Sequence, residues 1–373
     1  MDELLYTLAL TRLTGINSQI ALQLYQELGG GKAVFDHRHD IQDVFPDCSQ
    51  RLVNALQNWD SALSRAEVEV AFVEKHRIKP LLLGSADYPL RLAECPDAPI
   101  LLFSMGTASL NQQRIINIIG TRHATPYGHD LIRKLLEGLR CQGVQPLVVS
   151  GLAYGIDICA HREALAQGFE TVAVLAHGLD EIYPAGHRNT ALEMLKRGGL
   201  LTEYMSETRP DKLNFVKRNR IVAGMSDATI LIESASKGGG LITCSIAQDY
   251  NRSVFAFPGA IGAPYSEGCN NLIRDNGAQL ITSADDLIAA MGWQSDQQLR
   301  QARKEGIERT LFQDLSPEEQ LIVDSLSRIG DCQLNQLAVE TNINVSQLTA
   351  LLFQMELKGM VRLLAGGNYH LII

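Results

Sequence analysis

The amino-acid sequence predicts an α/β fold. Its centre is an extended Rossmann-like, mostly parallel, doubly wound sheet, flanked by a small N-terminal helical domain and a C-terminal winged helix. Between residues 113 and 290, short apolar runs alternate with helical segments. These runs lack polar alternation, so both faces of the sheet are expected to be covered, as in parallel sheets. Helical patterns and a short proline-punctuated connection precede this region, and three helical patterns with a Gly-turned hairpin follow it.

The chain is too long for one ordinary core, since its 373 residues favour two or three domains. Residues 1–75 carry leucine-rich helical patterns on both sides of a turn at Gly15, which is typical of a SAM-like or helix-hairpin-helix domain. Such a turn can hold a DNA phosphate, but this one has no Lys or Arg, so a packing role is favoured. The other predicted segments are a Rossmann-like ligand-binding domain, a linker and a winged-helix domain, at residues 76–292, 293–314 and 315–373.

Six apolar runs predict the strands of the central sheet, at residues 115–120, 146–151, 171–175, 200–203, 229–233 and 253–257. Between them, helices are predicted at residues 126–141, 156–167 and 240–250. The segment 78–105 is punctuated by proline and predicts turns with one short strand. In the winged helix, helices are predicted at residues 317–329, 333–341 and 346–358.

Composition excludes several classes of protein. No apolar run approaches the roughly 20 residues of a membrane span, and the first residues lack a basic leader, which makes the cytoplasm the expected compartment. The seven cysteines contain no CxxC pair and are expected to be reduced, and no metal site is predicted. Neither GxGxxG nor GxxxxGK[ST] is present, so no nucleotide cofactor is expected.

A basic segment at residues 209–220 stands out in a chain whose formal charge is −9. It carries five basic residues and one acid, and apolar residues follow it directly. Lys217, Arg218 and Arg220 are expected to hold an anion, while Arg209 and Lys212 are expected to form the solvated approach.

The predicted strand ends add to this anion-binding character. Arg122 follows the first strand of the central region, and glycine clusters near residues 151, 240 and 268 precede helices. Free backbone N–H groups in such turns make anion-binding nests, and the carboxyl ends of parallel strands share one edge of the sheet. The sequence therefore predicts an extended anionic ligand at this edge.

Five residues near these strand ends are candidates by type for a catalytic set, namely Ser150, Asp157, His161, Glu203 and Glu233. Asp157 and His161 are four residues apart on a predicted helix, and Glu233 ends a strand. A structural role is favoured, with Asp157 supporting nearby N–H groups and His161 satisfied against it, because no nucleophile or metal cluster converges with them. A nucleotide or nucleoside-phosphate hydrolase remains the alternative function at this point.

Aromatic residues and the C-terminal module bear on whether the extended anionic ligand is a nucleic acid. Phe215, Tyr154 and Tyr183 are able to stack on bases, although burial is the more common use of any one aromatic side chain. Residues 311–373 hold three basic residues against seven acids, which favours a protein-contact or regulatory module over a DNA-reading head.

The strand-end motifs, in this order, closely resemble the DNA-processing protein A family (DprA, also called Smf). The matching strings are GTR at 120–122, SGLAYGID at 150–157, GLD at 178–180, RNRIVAG at 218–224, FAFPG at 255–259 and GCNNLI at 268–273. The resemblance implies a non-catalytic, cytoplasmic protein that binds single-stranded DNA and loads the recombinase RecA in natural transformation. It also implies a homodimer, with the single-strand-binding protein as a further partner and no membrane contact.

The resemblance places the DNA at the strand-end edge. Arg122 matches the family's phosphate-contacting arginine, and residues 217–220 match its basic DNA-facing segment. The predicted DNA-binding residues are Gly120, Arg122, Ser150, Gly151, Lys217, Arg218, Asn219, Arg220, Lys237, Gly239, Gly240, Gly268 and Asn270.

Overall fold

The computed structural model describes residues 2–45, 48–293, 315–364 and 366–372. Its strands, in chain order, are β1 Lys79–Leu82, β2 Leu101–Gly106, β3 Ile115–Ile119, β4 Leu147–Ser150, β5 Thr171–Val174, β6 Gly198–Thr202, β7 Ala228–Leu231, β8 Ser253–Ala256, β9 Gln279–Leu280, β10 Cys332–Gln333, β11 Val361–Leu363 and β12 Asn368–Leu371.

The helices of the described residues fall into three groups along the chain. The N-terminal group is α1 Asp2–Leu10, α2 Ser18–Leu28, α3 Gly31–Asp36, α4 Ile41–Val44, α5 Gln50–Leu56 and α6 Asp60–His76. The central group is α7 Leu90–Ala93, α8 Pro126–Cys141, α9 Ile156–Gln167, α10 Arg188–Met194, α11 Lys212–Gly224, α12 Gly239–Asp249, α13 Glu267–Arg274 and α14 Ala284–Met291. The C-terminal group is α15 Pro317–Ile329, α16 Leu334–Thr341 and α17 Val345–Leu357.

The central sheet has nine strands in the order β1-β2-β6-β5-β4-β3-β7-β8-β9. The seven strands from β6 to β9 in this order pair in parallel, and β1 and β2 add an antiparallel edge. All five residues of β3 are buried, and separate apolar clusters cover the two faces of the sheet. The predicted mostly parallel, doubly wound sheet is thereby confirmed. The strand order reverses between β3 and β7, which defines the switch point where such sheets hold ligands.

The proline-rich segment after α6 contains more structure than the sequence indicated. Instead of one short strand it forms both β1 and β2, which pair from Lys79 opposite Ser104 to Leu82 opposite Leu101. Pro80 concealed β1, because proline lacks the N–H that an inner strand needs. Since β1 is the outermost strand of the sheet, its proline is tolerated there.

The N-terminal helices pack around a core that extends into the central sheet. Leu8, Leu22 and Trp59 belong to this core together with Phe103 of β2 and Met205 from the loop after β6. The carboxylate of Glu3 accepts hydrogen bonds from the backbone N–H groups at the start of α3, at 2.6 and 3.2 Å. That helix terminus is therefore satisfied within the protein.

The C-terminal residues form the winged helix, as predicted from the sequence. Strands β10, β12 and β11 make its small sheet, and Ser316 caps α15 in a reciprocal arrangement with Glu319. The turn between β11 and β12 lies against the central domain, where Gln333 donates a hydrogen bond to Glu94. The cleft between these parts is lined by Arg114 and Asp227, which precede β3 and β7. The winged helix therefore contacts the amino ends of the strands.

Two further observations concern the predicted linker and the helices. Of the predicted linker 293–314, only Trp293 lies within the described residues, and its ring is buried against the sheet. Among the described helices, none is both long enough and apolar enough to cross a membrane.

Candidate nucleic-acid interface

The switch point between β3 and β7 is filled by a side chain of the protein. Thr125 caps α8, and the Glu233 carboxylate accepts hydrogen bonds from the Thr125 N–H at 2.9 Å and from its hydroxyl at 2.5 Å. A Cβ atom on Gly128 would lie 2.3 Å from a Glu233 oxygen, so the carboxylate is tightly enclosed. Dinucleotide-binding proteins hold a pyrophosphate at this helix terminus. Here Glu233 occupies the position, which disfavours both a small nucleotide ligand and an acid/base role for Glu233.

A second internal network closes the loop after β4. The Asp157 carboxylate accepts a hydrogen bond from the Gly151 N–H at 3.2 Å, and the Arg218 guanidinium donates to the Gly151 carbonyl at 2.7 Å and to the Val174 carbonyl. Ser150 donates its hydroxyl to the Ile118 carbonyl at 2.7 Å. The Gly151 nest is therefore satisfied by Asp157 and does not present its N–H to an external anion.

Burial perturbs the ionisable groups of this network. It raises the pKa of Asp157, and the nearby positive charge of Arg218 opposes that rise. Burial also lowers the pKa of Arg218, while the Asp157 carboxylate opposes the fall. The two groups therefore stabilise each other's charged forms inside the protein.

The expected contact between His161 and Asp157 is wrong, because His161 contacts Thr171 instead. Its Nδ1 lies 2.7 Å from the Thr171 hydroxyl, which itself donates to the Val148 carbonyl at 2.9 Å. Burial, with smaller contributions from Arg218 and His187, lowers the pKa of His161 to about 3, so the ring is neutral at physiological pH. Because Asp157 and His161 are both buried, neither is placed to act on an external substrate.

The exposed charge at the strand-end edge gathers in a separate groove. This groove has a volume of about 490 Å³ and is lined by Arg122, Glu181, Tyr183, Arg209, Pro210, Lys212 and Phe215. The Arg122 guanidinium lies 5.2 Å from the centre of the Phe215 ring, and the centres of the Tyr183 and Phe215 rings are 5.9 Å apart. Among the described residues, none forms an ion pair with the three cations of the groove. Cations beside partly exposed aromatic rings suit a phosphate backbone with stacked bases.

Two neighbouring loops are joined beneath this groove. The Asp180 carboxylate accepts a hydrogen bond from the Glu207 N–H at 3.0 Å. The Gly178 N–H donates to the Thr208 carbonyl at 3.1 Å. The loop after β5, which carries Tyr183, is therefore tied to the loop after β6, which carries Arg209.

The basic segment divides between the groove and the protein interior. Arg218 is only 3% exposed, and its guanidinium donates to the loop after β4. The prediction that Arg218 contacts DNA is therefore corrected to a structural role. Arg220 is largely buried and forms an ion pair with Glu203, and Asp97 lies 3.9 Å from its guanidinium. It is therefore also corrected from a DNA contact to a structural residue. Lys217 is exposed, but it lies about 140° around α11 from Lys212, because each helical residue adds about 100°. Its contact with DNA stays a prediction.

The remaining predicted DNA-binding residues also divide into exposed residues and residues engaged within the protein. Lys237 is exposed on the loop before α12, Gly239 is exposed at the first position of that helix, and Asn219 is partly exposed. Asn270 holds Gly259 through two hydrogen bonds of 3.0 Å, so its amide is engaged within the protein.

The other glycines serve close packing. A Cβ atom at Gly120, Gly240 or Gly268 would approach a neighbouring atom to 2.6, 2.8 or 2.3 Å, respectively. These three glycines, like Ser150 and Gly151, therefore have packing or hydrogen-bonding roles inside the protein at the carboxyl edge of the sheet.

Sequence reasoning undervalued two cations and one further aromatic pair. Arg209 and Lys212, expected to be only an approach, line the groove itself. His123 and Tyr265 stack with ring centres 6.0 Å apart beside the loop after β3. For Lys212 the available signal was its position at the start of α11, three residues before Phe215 and on the same helical face.

A Rossmann-like sheet with this edge defines a class of protein. The Glu233 carboxylate closes the switch point of the sheet. Exposed cations and aromatic rings lie on the loops beside the switch point, and this grouping is typical of proteins that bind single-stranded nucleic acid. Residues 79–292 match the family model of the DNA recombination-mediator protein A, and residues 310–367 match that of the DprA winged helix domain. The chain belongs to the DprA/Smf family of DNA-processing proteins.

Individual relatives support this assignment. Protein Smf of Synechocystis sp. is 39% identical over 228 residues, which cover 59% of this chain and 56% of the Synechocystis protein. The X-ray structure of DprA from Streptococcus pneumoniae matches with a TM-score of 0.58 at 29% identity, covering 74% of this chain and 98% of that one. DNA processing protein A from Helicobacter pylori, whose single-stranded DNA binding mode has been described, matches with a TM-score of 0.51 at 29% identity over 57% and 95% of the two chains.

Proposed function

We propose that this protein binds single-stranded DNA in the groove between the loops after β3, β5 and β6. The observation that carries the proposal is the grouping of Arg122, Arg209 and Lys212, without ion-pair partners in the described chain, around the rings of Tyr183 and Phe215. The binding described for the Helicobacter pylori relative supports it. Phosphates would contact the cations, and the rings would stack on bases.

The proposed role extends to recombination, on the strength of the family. In this proposal the protein acts in the cytoplasm as a homodimer and loads RecA onto the bound strand, without catalysing a reaction itself. The single-strand-binding protein is a further proposed partner. The engagement of Glu233 and Asp157 in internal hydrogen bonds supports a binding role over the alternative of a nucleotide hydrolase.

The proposal is tested by fluorescence anisotropy with a labelled oligonucleotide, single-stranded or annealed to its complement, across a series of salt concentrations. We expect preference for the single strand, and an affinity that falls with a log–log salt slope of ~0.7 for each phosphate contacted. Equal affinity for both forms, or a slope near zero, would contradict the proposed groove.

Phe215→Ala is expected to weaken single-stranded DNA binding by ~1–3 kcal/mol, because a stacked base loses its aromatic partner. The salt slope should stay close to that of the wild type, since no cation is removed. Anisotropy with oligo-dT measures both quantities. Phe353→Ala, an exposed aromatic on α17 of the winged helix, is the matched aromatic control and should bind normally. A normal affinity for Phe215→Ala would remove the stacking role.

Removal of residues 311–373 is expected to leave the affinity for single-stranded DNA within about twofold of the full chain. The winged helix contacts the amino ends of the strands, whereas the groove lies at their carboxyl ends. Its sequence is also acidic, so it adds no attraction for phosphates. Anisotropy on the truncated protein, with its melting temperature as the folding control, checks this expectation. A large loss of affinity in a folded truncation would assign the module to DNA binding.

A further inference from the structure

A buried ionic cluster joins the N-terminal domain to the loop after β6. Glu69 of α6 is only 1% exposed. Its carboxylate accepts hydrogen bonds from the Ser206 N–H at 2.9 and 3.1 Å and from the Ser206 hydroxyl at 2.6 Å. Arg65, one turn earlier on α6, donates to the Glu69 carboxylate at 2.9 Å and to the Ser206 carbonyl at 2.6 Å. Ser206 is therefore held at its N–H, its hydroxyl and its carbonyl.

The residues around Ser206 lead directly into the candidate groove. Met205 packs in the core of the N-terminal domain, and Glu207 adopts a left-handed backbone conformation with φ of 64°. Arg209 follows two residues later, and Lys212 begins α11. The segment between Ser206 and α11 is thus fixed at its start by α6.

The position of this cluster is informative because a buried carboxylate is costly unless several donors satisfy it. Glu69 lies outside the groove and has no route to a ligand there. All its hydrogen bonds go to Arg65 and Ser206, so its effect is exerted through the loop. Long, exposed cations contribute more to binding when the backbone that carries them is already held near the phosphates, since ordering a free loop opposes binding.

We propose that Glu69 is a positioning residue for DNA binding, through which the N-terminal domain sets the loop that carries Arg209 and Lys212. This inference rests on the proposed binding of single-stranded DNA in the groove. It gives the N-terminal domain a function that needs no direct contact between its own helices and DNA.

A double-mutant cycle tests the inference. The variants are Glu69→Ala, the pair Arg209→Ala with Lys212→Ala, and the triple combination, each measured with labelled oligo-dT by anisotropy. From a salt slope of ~0.7 per contact, each lost phosphate contact weakens binding about fivefold at about 0.1 M salt. The pair is therefore expected to lose ~25-fold, and Glu69→Ala is expected to lose a large part of that factor.

In the background that already lacks both cations, Glu69→Ala is expected to add less than twofold. The salt slope should fall in Glu69→Ala, as it does in the pair, because fewer phosphates are contacted. Glu67→Ala, an exposed acid on the same helix, is the matched control and should bind like the wild type.

Equal losses from Glu69→Ala in both backgrounds would overturn the inference, because they would indicate a general loss of structure. No loss in the wild-type background would also overturn it. If circular dichroism shows that Glu69→Ala is unfolded, the same cycle is run with Glu69→Gln, which keeps one acceptor oxygen, under the same criteria. Failure of the wild type to bind oligo-dT would instead reject the proposed function, which distinguishes the two failures.

Discussion

Replacing Arg122, Arg209 and Lys212 together with alanine is expected to weaken single-stranded DNA binding by about two orders of magnitude at about 0.1 M salt. The estimate follows from a slope of ~0.7 for each phosphate contact, summed over three contacts, which also predicts a fall of ~2 in the log–log salt slope. The loss should be similar for all base sequences, because phosphates carry no sequence information. Anisotropy titrations across salt concentrations measure both the affinity and the slope.

The matched control removes the same charge elsewhere. Arg133, Lys134 and Arg140 are exposed on α8, outside the groove, and their joint replacement with alanine changes the net charge equally. This control is expected to lose little affinity, because charges beyond a Debye length of ~10 Å are largely screened. If both triple variants lose the same affinity, binding depends on net charge and the groove is not the site.

Lys217→Ala extends the same experiment. Lys217 lies on the far side of α11 from Lys212, and it was predicted from the sequence to contact DNA. A further loss of about fivefold on adding this change to the triple variant would mean that the strand crosses α11. An unchanged affinity would confine the DNA to the groove.

The hydrogen bonding of the main chain at this edge favours side chains over backbone N–H groups as the contacts of the proposed groove. Glycine-rich turns at strand ends predict anion-binding nests, yet the turns at Gly151 and Gly268 are satisfied internally. Glu233 accepts from the Thr125 N–H at the start of α8, Asp157 accepts from the Gly151 N–H, and the Gly268 N–H donates to the Ser234 carbonyl at 2.9 Å. With the Gly151 and Gly268 donors engaged, the proposed groove offers a phosphate mainly Arg and Lys side chains. A strong salt dependence is the expected consequence.

Much of the fold could be predicted from the sequence because burial leaves a local pattern. The apolar runs gave the six parallel strands β3 to β8 to within one or two residues, since both faces of such strands are covered. The two residues of β9 carry no such pattern, because both are exposed at the sheet edge. The antiparallel β1 was concealed by Pro80, whose tolerance depends on an edge position that only the assembled sheet defines.

The site was less predictable, because charge in a sequence does not reveal which way a side chain faces. Arg218 and Lys212 are both cations of one helix, but only Arg218 meets a buried carboxylate, from Asp157, 61 residues earlier in the chain. The same limit applies to Glu69, whose partner Ser206 lies 137 residues away. Arg122 was predictable, since it follows directly on a strand that is unmistakably buried.

Replacing Arg218 with alanine is expected to destabilise the protein by about 3–5 kcal/mol, because the Asp157 carboxylate would stay buried without its cation. The Gly151 and Val174 carbonyls would also lose their donor. Chemical denaturation monitored by circular dichroism measures the loss. Arg133→Ala, an exposed cation on α8, is the control and should change stability by less than about 1 kcal/mol.

The pH dependence of this loss identifies its cause. Burial raises the pKa of Asp157, and Arg218 opposes the rise, so Arg218→Ala should raise that pKa further. A carboxyl whose folded-state pKa exceeds its unfolded value contributes stability at low pH, and this contribution is lost as pH rises through the folded-state pKa. The difference between variant and wild type should therefore be larger at about pH 8 than at about pH 5. The double variant Asp157→Asn with Arg218→Met, which buries no charge, should recover much of the stability. A variant Arg218→Ala with wild-type stability but impaired DNA binding would instead place Arg218 on the DNA.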